Sequence, residues 1–102
     1  MTERPPLFGR TAVVTGASRG IGLAVAEELM AAGAHVVRLA RSLDDAVVER
    51  RTDMRCDVTD AAAVADAADR VHAERGAADL LVLNAGTFLL KALAETAPLE
   101  FQ

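Results

Sequence analysis

Apolar residues along this chain fall into two kinds of pattern. Thr11-Ala-Val-Val-Thr15, His35-Val-Val-Arg-Leu-Ala40 and Asp79-Leu-Leu-Val-Leu83 are short runs dominated by apolar residues. Such runs read as strands, the first buried and the last apolar on both faces as a central parallel strand should be. The stretches between them have helical period. Ile21, Val25 and Leu29 recur every fourth position and predict the buried stripe of a helix over roughly 20–32, with Glu27 and Glu28 facing water. Gly33 stands where a C-cap is needed. A second helix is expected over about 60–75. Val64, Ala67, Ala68 and Val71 form its stripe, Asp66 and Arg70 an i,i+4 pair, and Gly76 its end. Thr59 and Asp60 can cap its start.

Four strands follow from this reading, over 10–15, 35–40, 52–56 and 79–83. Leu7 and Phe8 are expected to pack beneath them. Residues 41–51 are charged and irregular, with only a weak helical turn near 44–48. The alternation β-α-β-(weak α)-β-α-β predicts an α/β fold with a parallel sheet and helices on both faces. The expected spatial order is third, second, first, fourth. The order reverses between the first and fourth strands, so a ligand crevice is expected outside their carboxyl ends.

One turn in this framework carries chemistry. Thr15-Gly-Ala-Ser-Arg-Gly-Ile-Gly22 joins the first strand to the first helix. Its glycines allow a tight turn and a close approach of backbone to a ligand. The helix start adds free N–H groups and partial positive charge, which together suit a phosphate. Without a ligand it would be a tight turn and no more, and three clustered glycines make that the weaker reading. Gly16, Gly20 and Gly22 are spaced G-x-x-x-G-x-G, which differs from the G-x-G-x-x-G of the usual dinucleotide fingerprint.

Residues 15–22 resemble the T-G-x-x-x-G-x-G signature of the short-chain dehydrogenase/reductase family, and three later segments resemble it too. Ala40-Arg41 ends the second strand, Asp57-Val58 follows the third, and Leu83-Asn-Ala-Gly86 follows the fourth. The last is similar to the family's N-N-A-G, with Leu83 in place of the first Asn. The resemblance implies a Rossmann-type doubly wound parallel sheet, present here as a partial, N-terminal β-α-β-α-β-α-β unit over 1–102. It implies hydride transfer between NADP(H) and an alcohol or carbonyl. Gly16, Ser18, Arg19, Gly20 and Ile21 would line the cofactor, and Gly22 would allow close helix packing. Asp57 and Val58 would meet the adenine. Asn84 would bond neighbouring backbone, with Ala85 and Gly86 close to the ribose. An acid after the second strand would select NAD, whereas arginine accommodates a 2′-phosphate. Arg41, seconded by Arg19, therefore points to NADP as preferred cofactor, with NAD possible. Solvated surface arginines are the bland alternative.

Composition narrows the picture. The 102 residues allow one modest core, and a net charge of −4 argues against a nucleic-acid surface. No run is long and apolar enough to suggest a membrane span. The start shows no secretory h-region, and Cys56 is the single cysteine. Cytoplasmic localisation is the expectation. Cys56 reads as a small buried residue, and His35 and His72 as structural, since no second metal ligand stands at suitable spacing. No Tyr or Trp is present, and Lys91 is the only lysine. A Y-x-x-x-K pair therefore cannot be complete here; the resemblance places that pair, the family's catalytic Ser and a further catalytic Asn in the half not represented in 1–102, and no catalytic residue is assigned. The chain alone is expected to be inactive, with the remainder of the enzyme or a partner chain completing it, as a homo-oligomer. The alternatives are a non-catalytic dinucleotide-binding module and another nucleotide-binding α/β enzyme such as a methyltransferase. Ala40-Arg41 disfavours the latter.

Overall fold

The computed structural model describes residues 4–84. The elements run β1 (Thr11–Thr15), α1 (Gly20–Ala31), β2 (His35–Ala40), β3 (Ala46–Val48), β4 (Arg51–Arg55), α2 (Ala61–Arg75) and β5 (Leu80–Val82). They form one sheet in the order β3-β4-β2-β1-β5. The pairs β4–β2, β2–β1 and β1–β5 are parallel, and β3 alone is antiparallel, against β4. The four parallel strands thus have the expected order and reversal.

The two helices cover opposite faces. On one, Val64, Ala67 and Val71 of α2 meet Val13, Val37, Leu39 and Met54. On the other, Ala26 of α1 meets Ala12, Val14 and Val36, with Leu29, Met30, Leu7 and Val82 packed around them. Each Val or Leu so enclosed contributes ~1.5–3 kcal/mol. Asp60 is the N-cap of α2, accepting from the Ala62 and Ala63 N–H groups at 3.0 and 3.3 Å. Both helices end as expected, with Gly33 and Gly76 at φ +99° and +80°.

Several expectations are corrected. Ile21 is 76% exposed, and the buried line of α1 runs through Gly22 and Ala26 instead. Small residues bring the helix axis close to the sheet, which turns the bulky i,i+4 series away from the line of closest approach. Ala68 is exposed on α2. Arg70 bonds Asp45 at 3.1 Å rather than pairing with Asp66. Leu7 packs on the α1 side, but Phe8 is exposed with the Arg4 guanidinium 5.1 Å from its ring centre.

The largest departure lies in residues 41–51, where β3 replaces the expected helical turn. The β2-to-β4 connection carries no helix, so among the described residues no helix covers the outer part of the α1 face there. Charge occupies it. Arg38 on β2 donates from Nε and Nη2 to both carboxylate oxygens of Asp53 on β4, at 2.7 and 2.8 Å. Arg51 Nε adds a charge contact to Asp53 at 3.2 Å without forming a hydrogen bond. At the opposite end of the sheet, Leu80, Leu81 and Leu83 are 37%, 46% and 38% exposed. The strand expected to be covered on both faces is the last strand among the described residues. No described helix is long and apolar enough to cross a membrane.

Candidate functional site

The carboxyl ends of β1, β2 and β4 surround a cleft of about 740 Å³. Gly16, Ser18 and Arg19 form one wall, Ala40, Arg41 and Ser42 the second, and Cys56, Asp57, Val58 and Thr59 the third. Three separate sequence segments meet here because parallel strands of matched register end together: Thr15 lies beside Leu39, and Ala40 beside Arg55.

The glycine loop is built for close approach. Gly16 turns with φ +60° and Gly20 with φ +62°, conformations costly for a side chain. A Cβ on Gly20 would meet nothing within 4 Å, whereas one on Gly22 would run into the Gly16 carbonyl oxygen. Gly20 therefore answers to backbone shape, and Gly22 to the packing of α1 against the loop. Arg19 occupies the N-cap position of α1, yet no side chain among the described residues caps this helix and no acid stands in its first turn. The contrast with α2, capped by Asp60, is direct. The first N–H groups of α1 and its positive end remain open to an anion at the cleft.

Asn84, just past β5, ties that strand to the loop. Its backbone N–H donates to Thr15 Oγ1 at 2.9 Å, and its Nδ2 reaches the Gly16 carbonyl at 3.4 Å. Thr15 Oγ1 in turn donates to the Val82 carbonyl at 3.4 Å. Asn84 is thus a neighbour of the glycine loop and stands outside the cleft lining, as do Gly20, Ile21 and Gly22 on the first turn of α1. Ala85 and Gly86 lie outside the described residues.

Across the cleft, Asp57 Oδ1 accepts from the Thr59 N–H at 2.9 Å and from Thr59 Oγ1 at 2.6 Å. Those bonds, with the Arg41 charge, hold its carboxyl below the usual carboxylate range. Its Oδ2 makes no hydrogen bond among the described residues and remains an acceptor. Burial and the neighbouring Asp57 and Asp60 push the Cys56 thiol up. With the side chain buried, this residue is a wall and not an activated nucleophile. His35 Nε2 lies 2.8 Å from Thr52 Oγ1 at the far end of the strands, outside the cleft lining. Burial, then the Arg75 charge, lowers its pKa. No group of three His, Cys, Asp or Glu able to hold a metal occurs among the described residues.

Sequence reasoning missed Ala40, Ser42, Cys56 and Thr59 as lining residues, along with the anchoring role of Thr15. Ser42 and Thr59 were legible as immediate neighbours of Arg41 and Val58. Thr15 was not, since its role depends on β5 lying alongside β1.

Comparison with known proteins places this arrangement. The chain is 42% identical over 84 residues to 3-oxoacyl-(acyl-carrier-protein) reductase FabG of Escherichia coli, covering 76% of this chain and 34% of that enzyme. It is 35% identical over 102 residues to a fatty acyl-CoA reductase of Acinetobacter baylyi, covering 91% of this chain and 35% of that protein. The chain therefore spans about a third of the length of these curated relatives. Its fold is similar to a short-chain dehydrogenase/reductase from Serratia marcescens, with TM-score 0.71 and 34% identity over 80% of this chain and 38% of the other. A metagenomic short-chain oxidoreductase solved in complex with NADP is similar at TM-score 0.71 and 32% identity, over 89% of this chain and 57% of that one. Residues 10–102 match the family model described as short chain dehydrogenase, and the chain belongs to the short-chain dehydrogenase/reductase family.

Proposed function

We propose that the cleft binds the adenosine and phosphates of NADP(H), as the cofactor-holding part of an oxidoreductase acting on an alcohol or carbonyl. The observation that carries this reading is the coincidence of two arginines with an uncapped helix start at one cleft. The donor set suits a polyanion. The α1 N–H groups and the backbone at Gly16 and Gly20 face the diphosphate, with Ser18 and Ile21 beside it. Arg41 and Arg19 meet the 2′-phosphate, and Asp57 and Val58 take the adenine through the free Asp57 oxygen and backbone. Gly22 brings α1 against the loop and Asn84 holds the loop's underside, while resemblance to the family assigns Ala85 and Gly86 to the ribose. NAD(H) fits the same cleft with less charge complementarity.

The bound nicotinamide would supply the hydride chemistry. The chain's own residues bind and orient, and the absence of tyrosine in 1–102 leaves the proton-transfer group to come from outside this sequence. We read 1–102 as part of a larger dinucleotide-binding domain, since the exposed leucines at β5 suit a further parallel strand. We place it in a cytoplasmic homo-oligomer.

The test is competitive binding of NADPH and NADH to the full chain by fluorescence titration. Charge-assisted contacts are worth ~1.5–3 kcal/mol, so tenfold or greater preference for NADPH is expected. Arg41→Asp should reverse it. Tighter binding of NADH by the unmodified chain would refute the assignment.

A further inference from the structure

The loop after β2 carries Arg41 and Ser42 into the cleft, but little backbone bonding holds it. Its one backbone hydrogen bond among the described residues is Leu43 N–H to the Ala40 carbonyl, at 3.4 Å. Side chains hold it instead, and they converge on one residue of β4. Arg55 Nε donates to the Leu43 carbonyl at 3.1 Å, and its Nη2 donates to Asp44 at 2.7 Å. The Arg55 backbone N–H donates to Asp45 Oδ1 at 2.8 Å, and Arg70 of α2 takes the other oxygen at 3.1 Å. That backbone bond, above all, holds the Asp45 carboxyl below its ordinary value.

Two carboxylates within four residues of Arg41 are unexpected beside a site for a dianionic phosphate. Left unpaired, each would oppose the charge of Arg41, from which it is only three or four residues away in the chain. Arg55 cancels Asp44 directly and, through its backbone, fixes Asp45 where Arg70 can cancel it. Its Nε and Nη2 are engaged by Leu43 and Asp44, and it stands outside the cleft lining, so Arg55 is not itself assigned as a third phosphate ligand.

We propose that Arg55 is a positioning residue for cofactor discrimination: it pins the 42–45 loop and masks Asp44, so that Arg41 faces the 2′-phosphate without competing negative charge. The proposal rests on the reading of Arg41 given above. The ion pair is exposed and adds little to global stability. Its effect is local, on charge at the cleft rim.

The experiment measures NADPH and NADH affinities of the full chain, with melting temperature recorded for each variant. Arg55→Gln should lower the NADPH-over-NADH affinity ratio by roughly fivefold, the scale of one partly screened surface charge. Adding Asp44→Asn to Arg55→Gln should restore at least half of the lost preference. Arg55→Lys, which keeps the charge, should hold the ratio within about twofold of the unmodified chain. In 0.5 M salt the loss in Arg55→Gln should shrink. Equal weakening toward both dinucleotides, no recovery in the double variant, or a fall in Arg55→Lys as large as in Arg55→Gln would each overturn the proposal. Failure of the underlying cofactor reading has a different signature, an unmodified chain with no preference for NADPH and an Arg41→Ala variant that changes nothing. That result removes the role assigned to Arg55 as well.

Discussion

Replacing Gly22 with alanine sets two known effects against each other. In an ordinary helix interior the change is favourable by ~1 kcal/mol, because alanine is the better helix former. Here a Cβ would collide with the Gly16 carbonyl oxygen, and would lie 2.8 Å from Asn84 Nδ2 and 2.9 Å from the Gly16 carbonyl carbon. The Asn84 amide can swing aside at the cost of its 3.4 Å bond to Gly16. The Gly16 backbone cannot, since it is fixed between β1 and a left-handed turn at φ +60°. Relief therefore requires α1 to lift from the sheet, loosening the contact of Ala26 with Ala12 and Val14. Overpacking of this kind costs ~1–3 kcal/mol. A rigid backbone partner puts Gly22 at the upper end, so the net loss after the propensity gain is ~2 kcal/mol. For a chain of this size that lowers the melting temperature by roughly 8–16 °C. Circular dichroism melts of the two forms measure it, and NADPH titration should show the displaced loop as weakened binding. A Gly22→Ala chain that melts at or above the unmodified one would refute the packing argument, because propensity would then have outweighed the collision.

Asp53→Ala leaves the Arg38 guanidinium unpaired on the sheet face and should cost ~3–5 kcal/mol, whereas pairing it with Arg38→Met should recover most of the loss in urea melts. The same pair gives a pH dependence of known sign. The hydrogen bonds from Arg38 hold the Asp53 carboxyl below its ordinary 3.8. Its contribution is then fully present above the ordinary carboxylate value and lost as pH falls through the depressed one. Unfolding followed from pH 6 down to pH 2 should show a steeper acid loss in the unmodified chain than in Asp53→Asn, and parallel curves would contradict it. Arg50, at φ +63° in the hairpin between β3 and β4, relieves ~1–2 kcal/mol of backbone cost on replacement by glycine, against ~0.4–1 kcal/mol of added unfolded-state entropy. Arg50→Gly should therefore raise the urea midpoint slightly at constant slope, and a lowered midpoint would count against the reading.

The glycine loop, the four parallel strands and their order were legible in the amino-acid sequence because each rests on local or topological rules. Gly16 and Gly20 announce positive φ by their residue type, β-branched runs announce buried strands, and a helix joining two parallel strands leaves few alternatives for the order. Arg41, Asp57 and the loop were expected at the carboxyl ends and do meet there, since parallel strands of similar length end at one level, but the cleft opens at β1, β2 and β4 rather than at the β1–β5 reversal, and Asn84 stands outside its lining. What pairs with what across the fold was not legible. Arg70 had a sequence neighbour of opposite charge in Asp66, but Asp45 won because β3 folds back and carries it to α2. The segment Ala46–Val48 is too short for periodicity to declare a strand, and it becomes one only because the β4 edge offers partners. Nothing in the sequence pairs Arg38 with Asp53; they meet because the connection between β2 and β4 carries no helix and leaves their face open for a salt bridge. Ile21 looked buried because the four-residue spacing favours bulky residues. The tertiary structure chose Gly22 and Ala26 instead, because only small side chains let α1 approach the sheet closely enough to set its N–H groups at the cleft.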